Sequence, residues 1–242
     1  MIKLRYSVII PAYNEEKYIE KTIDIVYNMF RKHIKRPFEI IIANDGSTDS
    51  TPDKVKKKMK KYRNLRIVSN EINRGRGSIL KKSFKSAKGE IQIYLDADLQ
   101  ISTDIIFDVI NALNNGYDVA IGSKHIKGSN IKYPKIRRFF SKVYSFLAKI
   151  FLGGNIKDFQ CGLKGFRKVV IKTVLPHVKS DGWSWDTEII IKSIWKGYSV
   201  KEIPAKVRNV YKRESKVHLL KDVINMGSFL IYLFFQRFSY KG

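Results

Sequence analysis

Residues 93–100 read "IYLDADLQ", an apolar run that ends on two aspartates, Asp96 and Asp98, with one alanine between them. Residues 91–95 have the composition of a buried strand. Two carboxylates at the end of such a strand repel each other and resist burial unless a positive charge lies close to both. The stretch therefore predicts a buried strand that delivers a pair of carboxylates to a cation.

The first half of the chain repeats one rhythm, in which a short apolar run is followed by a polar turn and a helical pattern. Strands are predicted at 6–11, 38–43, 65–69, 91–95 and 117–122. Helices are predicted at 15–30, 51–62, 78–87 and 103–114. Alternation at these lengths indicates βαβ units, and therefore an α/β fold with a mostly parallel central sheet flanked by helices.

Polar turns follow three of the predicted strands. They read "PAYNEE" (11–16), "NDGSTD" (44–49) and "DADLQ" (96–100). Ligands of open α/β sheets bind beyond the carboxyl ends of the strands, so these turns are expected to converge on one site.

The second half of the chain lacks this rhythm. It contains an amphipathic pattern at 135–152, the segment "DFQCGLKGFR" (158–167), a helical pattern at 186–197, a short strand at 198–205 and an apolar run at 223–235. No low-complexity linker separates the halves. We therefore predict one domain over 1–215 and a C-terminal apolar helix within 216–242.

The composition limits the classes of possible binding partner but does not select one of them. The 242 residues include 47 Lys and Arg against 22 Asp and Glu, which gives a formal net charge of +25. Such an excess favours an anionic partner: nucleic acid, an anionic membrane surface or a phosphorylated substrate. The single cysteine, Cys161, excludes an intramolecular disulfide framework, and we expect it to be packed in the core.

No secretory signal or membrane span is predicted. The opening residues run directly into a strand, and no apolar run reaches the ~18 residues that a span needs. The helical pattern at 135–152 mixes bulky apolar residues with basic ones, and the run at 223–235 is strongly apolar. We expect them to lie at an anionic membrane surface, although each pattern also fits a core helix.

The carboxylates admit two interpretations. Side chains two residues apart on a strand point the same way, so Asp96 and Asp98 could hold Mg²⁺ or Mn²⁺ through hard oxygen donors. They could equally cap a helix that begins near residues 102–104. For Asp45 in "NDGSTD", the residues alone favour capping or turn chemistry.

Taken together, the motifs resemble those of the inverting family-2 glycosyltransferases. The segments "VIIPAYNEE", "NDGSTD", "NRGRG", "LDADLQ" and "QCGLKGFR" occur in the order and at the approximate spacing of that family. The last of these, with "WSWDTE", is similar to the branch that transfers sugars to polyprenyl (dolichyl) phosphate. Asn44 stands where many members have an aspartate, and Asp45 is retained. The resemblance implies a GT-A-like fold with C-terminal amphipathic helices.

The resemblance also implies a donor site. The residues expected to bind the nucleotide are Pro11, Tyr13, Asn14, Glu15, Asp45, Arg76 and Asp96. A catalytic Mg²⁺ or Mn²⁺ is expected on Asp96 and Asp98, with Gln100 as a further ligand. Such an ion would act as a Lewis acid on the departing diphosphate.

The acceptor decides whether a catalytic base is needed. A hydroxyl acceptor needs one, and Asp186 or Glu188 in "WSWDTE" would supply it. A lipid phosphate has a second pKa of about 6, so it is already nucleophilic and needs cations instead. The cations expected to hold it are Lys124, Arg137, Arg138 and Arg213. In that case Asp186 and Glu188 are expected to orient cations or the sugar hydroxyls.

These inferences predict a peripheral enzyme on the cytoplasmic face of a membrane. Its partners would be a nucleotide sugar and a polyprenyl phosphate. One alternative is a family-2 transferase that acts on a sugar hydroxyl. The other is a basic nucleic-acid-binding protein, suggested by "DKVKKKMKKYR" (53–63), but the lysines there follow a helix with an apolar stripe, so we expect no specific nucleic-acid partner.

Overall fold

The structure, a computed structural model, describes residues 5–130, 135–206 and 219–239. The strands are β1 (Tyr6–Ala12), β2 (Phe38–Asp45), β3 (Leu65–Asn70), β4 (Ile91–Leu95), β5 (Val119–Ser123), β6 (Leu163–Arg167) and β7 (Val200–Pro204). The helices are α1 (Ile19–His33), α2 (Thr51–Lys61), α3 (Arg76–Ser86), α4 (Ile105–Asn114), α5 (Lys135–Leu152), α6 (Lys168–Val174), α7 (Trp185–Trp195) and α8 (Leu219–Ser239).

The described strands form a single sheet in the order β3-β2-β1-β4-β6-β5-β7. Neighbouring strands are parallel except at β6, which runs antiparallel to both β4 and β5. The carboxyl ends of the parallel strands and the amino end of β6 therefore meet at one edge of the sheet, which we call the carboxyl edge. This arrangement confirms the predicted α/β class with a mostly parallel sheet.

The five strands predicted in the first half of the chain and the short strand predicted at 198–205 are confirmed to within two residues at each end, whereas β6 was not predicted as a strand. Its centre carries Lys164 and Gly165, which hide the apolar pattern of a buried strand. Gly165 is needed there because a β-carbon would lie 2.6 Å from the Val109 side chain of α4. The strand can therefore be recognised only from its pairing with β4 and β5 in the structure.

Helix α1 begins at Ile19, four residues after the predicted start at Glu15. The intervening residues form a turn, in which the N–H groups of Tyr18 and Ile19 both donate to the Glu15 carbonyl at 2.9 Å. The backbone N–H of Glu15 donates to Thr51 Oγ1 at 2.8 Å, and that of Glu16 donates to Asp49 Oδ2 at 3.1 Å. The loop after β2 thus supplies acceptors for the N–H groups that precede the helix.

The core has two halves, one on each face of the sheet. Ile23 and Phe30 of α1 are buried on one face, and Trp185 of α7 and Phe84 of α3 stack on the other with ring centroids 5.6 Å apart. Cys161 is fully buried, as predicted, and burial raises the pKa of its thiol to about 11. The thiol therefore stays protonated at neutral pH.

Helices α5 and α8 pack against each other beside the second half of the core. Phe151 and Phe234 meet edge to face at 5.7 Å, and Leu230 and Leu233 are buried. In the parts of the chain that the structure describes, no helix has the combined length and apolarity to cross a bilayer. The proposed domain boundary at residue 215 lies outside the described residues and stays a prediction.

Candidate active site

The loop after β1 and the loop after β2 are hydrogen-bonded together at the carboxyl edge. Asn14 adopts a left-handed backbone conformation with φ of 51°, which asparagine tolerates better than most residues. Its Oδ1 accepts the N–H of Thr48 at 2.9 Å, and its own N–H donates to Ser47 Oγ at 3.0 Å. Asn14 therefore fixes the two loops at this edge, where the Tyr13 ring is 37% exposed.

Asp45, at the end of β2, shapes the "NRGRG" turn. Its Oδ1 accepts hydrogen bonds from Asn70 Nδ2 at 2.8 Å and from the Arg74 N–H at 3.1 Å. Its Oδ2 accepts the Gly75 N–H at 2.9 Å. Gly75 has φ of 99°, so a side chain there would be strained. Asp45 thus orients the start of α3, and its predicted contact with a nucleotide stays a prediction.

Arg76 opens α3 and lies in the middle of the candidate site. Its Nη2 is 3.2 Å from Asp96 Oδ1 and 3.5 Å from Asp186 Oδ2. The guanidinium carbon lies over the rings of Tyr94 and Trp183, at 4.9 Å from each centroid. Burial would lower the pKa of Arg76, but Asp186, Asp96 and Asp98 outweigh it and raise the pKa above the ordinary value. Arg76 is therefore a permanent cation.

Two buried donors of Arg76 lack a hydrogen-bond acceptor. Among the described residues, Nε and Nη2 make no hydrogen bond, although Nη2 lies 3.2 Å from Asp96 Oδ1. Both carboxylate oxygens of Asp186 are likewise buried and form no hydrogen bond with the described residues. A buried donor without an acceptor costs free energy. An anionic ligand at the carboxyl edge would remove this cost by accepting the hydrogen bonds.

Asp96 is held on two sides. Its Oδ1 accepts a hydrogen bond from the Tyr94 hydroxyl, and its backbone N–H donates to the Gly162 carbonyl at 2.9 Å. Its Oδ2 packs against the backbone of Gly162, where a β-carbon would lie only 1.9 Å away. The glycine before β6 therefore makes room for the first carboxylate of the pair.

Asp98 lies in a tight turn that continues from Asp96. Leu99 has φ of 48° and is buried, and Asp98 Oδ1 accepts the Gln100 N–H at 3.2 Å. Helix α4 begins only at Ile105, and within the described stretch 5–130 no side-chain hydrogen bond caps it. The alternative that Asp96 and Asp98 cap this helix is therefore excluded.

Asp186 is buried beneath Arg76. It is 1% exposed, and its Oδ1 lies 2.6 Å from Nζ of Lys164, a fully buried lysine of β6. Lys164 also donates to the Cys161 carbonyl. Asp186 thus bridges two cations, and the structure places it behind Arg76 and away from the solvent-facing side of the edge.

Glu188 supports the loop that precedes α7. Its carboxylate accepts the N–H groups of Lys179 and Ser180 at 2.8–3.0 Å and pairs with Lys192 Nζ at 2.6 Å. In that loop the Asp181 carbonyl accepts the N–H of Gly77, in the first turn of α3, at 2.7 Å. Glu188 therefore helps to position the helix that carries Arg76.

Sequence reasoning missed several members of this site: Tyr94, Gly162, Lys164 and Trp183. A lysine inside an apolar strand was the one available signal, because a buried lysine needs a carboxylate partner. The two aromatic residues resemble ordinary core residues, and the role of the glycine depends on a contact between two strands.

The cations predicted to hold an acceptor phosphate are only partly described. Lys124 follows β5, is 8% exposed and pairs with Asp158 at 2.9 Å. Arg137 and Arg138 lie on α5 in the part whose side chains are outside the description, and Arg213 lies outside the described residues. Their predicted role stays a prediction.

The Lys124–Asp158 pair makes stability depend on pH. Burial would raise the pKa of Asp158, but Lys124 outweighs it and holds the pKa below the ordinary value of 3.8. The stabilisation is thus complete above the ordinary pKa and is lost as the pH falls through the lower folded value. We expect the free energy of unfolding of Asp158→Asn to be lower at pH 7 and to fall less toward pH 3 than that of the wild type.

Urea unfolding at several pH values measures this difference. Asp108→Asn, which removes an exposed carboxylate from α4, is the control and should follow the wild-type pH dependence. If the Asp158→Asn and wild-type curves ran parallel between pH 7 and pH 3, the pair would not be the source of the pH dependence.

Known proteins of similar sequence include three that are named as glycosyltransferases. The chain is 30% identical over 95% of its length to glycosyltransferase AglD of Haloferax volcanii, of which it spans 37%. It is 32% identical over 93% of its length to the dolichyl-phosphate beta-glucosyltransferase of Saccharomyces cerevisiae, of which it spans 72%. It is 32% identical over 83% of its length to the dolichol-phosphate mannosyltransferase of Pyrococcus furiosus, of which it spans 56%.

Solved structures share the fold. Glucosyl-3-phosphoglycerate synthase from Mycobacterium tuberculosis superimposes with a TM-score of 0.70 over 99% of this chain and 82% of that one, at 17% identity. The fold is therefore of the GT-A type, as expected. The model of the family described as glycosyl transferase family 2 matches residues 7–175. This chain is a glycosyltransferase that belongs to glycosyl transferase family 2.

Proposed function

We propose that this chain transfers a sugar, with inversion, from a nucleotide sugar to a polyprenyl (dolichyl) phosphate. The observation that carries the proposal is the carboxylate pair Asp96 and Asp98 at the end of β4, with the Arg76 guanidinium beside it. Relatives named dolichyl-phosphate beta-glucosyltransferase and dolichol-phosphate mannosyltransferase support this acceptor class.

The residues at the carboxyl edge fit a divalent cation that binds together with the nucleotide. Asp96 and Asp98, with Gln100, offer the oxygen donors that Mg²⁺ and Mn²⁺ prefer. No cluster of three or more His, Cys, Asp or Glu side chains suited to a metal occurs in the described ranges, so phosphate oxygens and water would complete the coordination. The cation would neutralise the charge that develops on the leaving diphosphate.

A structural neighbour supports this donor chemistry. Crystals of the mycobacterial glucosyl-3-phosphoglycerate synthase, 18% identical to this chain, contain Mn²⁺ and uridine diphosphate. In this chain the residues proposed for the base and ribose are Pro11, Tyr13, Asn14, Glu15 and Asp45. Their loops are hydrogen-bonded to one another, which supports a nucleotide site that is arranged before the ligand binds.

Arg76 is proposed to bind the diphosphate directly. Its Nε and Nη2 are buried donors in need of an acceptor, and phosphate oxygens accept from guanidinium groups in a bidentate geometry. Because the guanidinium makes cation–π contacts with both Tyr94 and Trp183, the cation would be in place before the leaving group develops its charge.

Burial of both candidate bases favours a phosphate acceptor over a hydroxyl. Asp186 is paired with Lys164 and Arg76, and Glu188 with Lys192, so each carboxylate is already engaged with a cation. A lipid phosphate is largely dianionic at neutral pH and needs no base. Cations to hold it are proposed at Lys124, Arg137, Arg138 and Arg213.

The surface formed by α5 and α8 is proposed to rest on an anionic membrane, on its cytoplasmic face. Phe146 and Ile150 of α5 are 62% and 55% exposed, and Phe235 and Phe238 of α8 are 68% and 74% exposed. Exposed aromatic side chains on neighbouring helices are typical of an interfacial surface, and the net charge of +25 adds attraction to anionic headgroups.

Replacing Phe146 and Phe235 together with serine should weaken binding to anionic liposomes at least about tenfold, because each phenylalanine would contribute roughly 1.5–3 kcal/mol of apolar burial. Sedimentation with vesicles of phosphatidylserine and phosphatidylcholine measures it. The control is Val169→Ser, which removes an apolar side chain of 44% exposure from α6. Equal binding of the double variant and the control would contradict a membrane role for this surface.

The test of the whole proposal is an assay with radiolabelled nucleotide sugars, dolichyl phosphate and Mg²⁺ or Mn²⁺. Extraction into organic solvent should recover a lipid-linked sugar with the wild type and none with Asp98→Asn. Transfer to a soluble sugar acceptor, with none to dolichyl phosphate, would contradict the proposal and favour the hydroxyl-acceptor alternative.

Nucleic-acid binding is not favoured by the structure of the lysine-rich helix α2. Val55 is fully buried, Lys58 pairs with Asp24 at 2.6 Å, and the Tyr62 ring stacks on Tyr27 at 3.9 Å. The helix packs against α1 as an ordinary amphipathic helix with a solvated basic face. Salt-sensitive, nonspecific affinity would follow from charge alone.

A further inference from the structure

Arg76 occupies one side of the carboxylate that is proposed to bind the metal. Nη2 of Arg76 lies 3.2 Å from Asp96 Oδ1, and cation–π contacts with Tyr94 and Trp183 help to keep the guanidinium there. The first turn of α3 is itself tied down by the bond from Gly77 N–H to the Asp181 carbonyl. The cation is thus built into the site rather than attached to a mobile loop end.

Asp96 cannot turn away from this cation without disturbing the backbone around it. Its Oδ1 is bonded to the Tyr94 hydroxyl, and its Oδ2 is packed against the Gly162 backbone. A metal ion that binds Asp96 therefore has to share the carboxylate with Arg76 or displace it. Two cations at one carboxylate repel each other, and this lowers the affinity for the second.

The charges of the surrounding cluster make this competition unfavourable for a metal alone. The carboxylates of Asp96, Asp98 and Asp186 are opposed by the cations of Arg76 and Lys164, which leaves a single net negative charge. A divalent cation would make the cluster net positive. A diphosphate that binds with the metal would cancel the added charge and give the Arg76 N–H groups the acceptors they lack.

We infer that Arg76 acts as an internal cation that occupies Asp96 in the absence of nucleotide and makes metal binding dependent on the diphosphate. The inference rests on the proposed donor chemistry and adds to it a role for this residue in the order of binding. When nucleotide is present, the phosphate oxygens accept from Nε and Nη2 of Arg76 and offset the guanidinium charge, and Asp96 becomes available to the metal. By linkage, metal and diphosphate then strengthen each other's binding by the same factor.

The experiment is a titration of Mn²⁺ against the nucleotide-free protein, with free Mn²⁺ followed by electron paramagnetic resonance. Arg76→Gln should bind Mn²⁺ about tenfold more tightly than the wild type, since the competing cation is gone. Arg74→Gln is the matched control, because it removes the same charge from an exposed position in the same turn and should leave the affinity unchanged. Asp96→Asn should abolish binding in every background.

A second titration, with uridine or guanosine diphosphate present, measures the coupling. In the wild type the diphosphate should raise the Mn²⁺ affinity about tenfold or more, and in Arg76→Gln this gain should be much smaller. If circular dichroism shows that Arg76→Gln is unfolded, Arg76→Met replaces it. Methionine keeps a long side chain beside the rings but carries no charge, so that variant should also bind Mn²⁺ more tightly than the wild type.

The outcomes separate this inference from the proposed function. Coupled Mn²⁺ and diphosphate binding by the wild type, with no gain in nucleotide-free affinity in the Arg76 variants relative to Arg74→Gln, would overturn the inference and leave the donor site intact. No Mn²⁺ binding by the wild type with either diphosphate would overturn both.

Discussion

Replacing Gly162 with alanine is expected to reduce sugar transfer about a hundredfold or more while the protein remains folded. The new β-carbon would lie 1.9 Å from Asp96 Oδ2 and 2.5 Å from its Cγ, so the carboxylate has to move. Asp96 is also bonded through its backbone to the Gly162 carbonyl, which prevents the two segments from separating easily. A displacement of about 1 Å in a catalytic group is enough for a loss of this size.

The control for this change is Gly182→Ala. Gly182 lies near the same site, next to Trp183, and a β-carbon there would meet no heavy atom within 4 Å. Its rate of transfer should stay near that of the wild type, and circular dichroism should show both variants folded. Full activity of Gly162→Ala would mean that the position of the Asp96 carboxylate does not matter to catalysis.

Asp186→Asn is expected to lower the free energy of unfolding by about 3 kcal/mol. The change leaves Lys164, which is fully buried, without its counter-charge, and it removes one of the carboxylates that face Arg76. A buried charge deprived of its partner is costly because little water can reach it. Urea unfolding with a constant m-value measures the change.

A control variant distinguishes the cost of leaving the buried Lys164 unpaired from the smaller cost of losing an exposed ion pair. Asp53 pairs with Lys56 at 3.4 Å on the surface of α2, where the side chains are 80% and 66% exposed. Asp53→Asn should leave stability close to that of the wild type. If Asp186→Asn abolished transfer but left stability unchanged, Asp186 would be acting as a base, and the hydroxyl-acceptor alternative would gain support.

Much of the fold follows from sequence pattern because the strands of a parallel sheet are covered on both faces. Residues 38–43 and 91–95 are apolar apart from Glu39 and Gln92, and they form strands within two residues of the predicted bounds. The start of α1 could not be predicted in the same way. The N–H groups of Glu15 and Glu16 bond to Thr51 and Asp49, which lie more than 30 residues away in the chain, so the turn before α1 depends on contacts that no local pattern encodes.

The site divides similarly into a predictable and an unpredictable part. The turns after β1, β2 and β4 could be placed together because the carboxyl ends of parallel strands share an edge, and the pair Asp96 and Asp98 stood out as two charges after an apolar run. The contacts beneath them could not be foreseen. Lys164 reaches Asp186 only because β6 inserts antiparallel beside β4, a pairing that no local pattern encodes.

The central claim is that the carboxyl edge binds a divalent cation and a diphosphate between the loops after β1, β2 and β4. The most direct measurement is a crystal of the protein soaked with nucleoside diphosphate and Mn²⁺, with the metal located by anomalous scattering. We predict a manganese peak coordinated by Asp96 and Asp98, with the diphosphate against Arg76. A manganese peak away from these carboxylates, or a diphosphate bound elsewhere on the chain, would contradict the account.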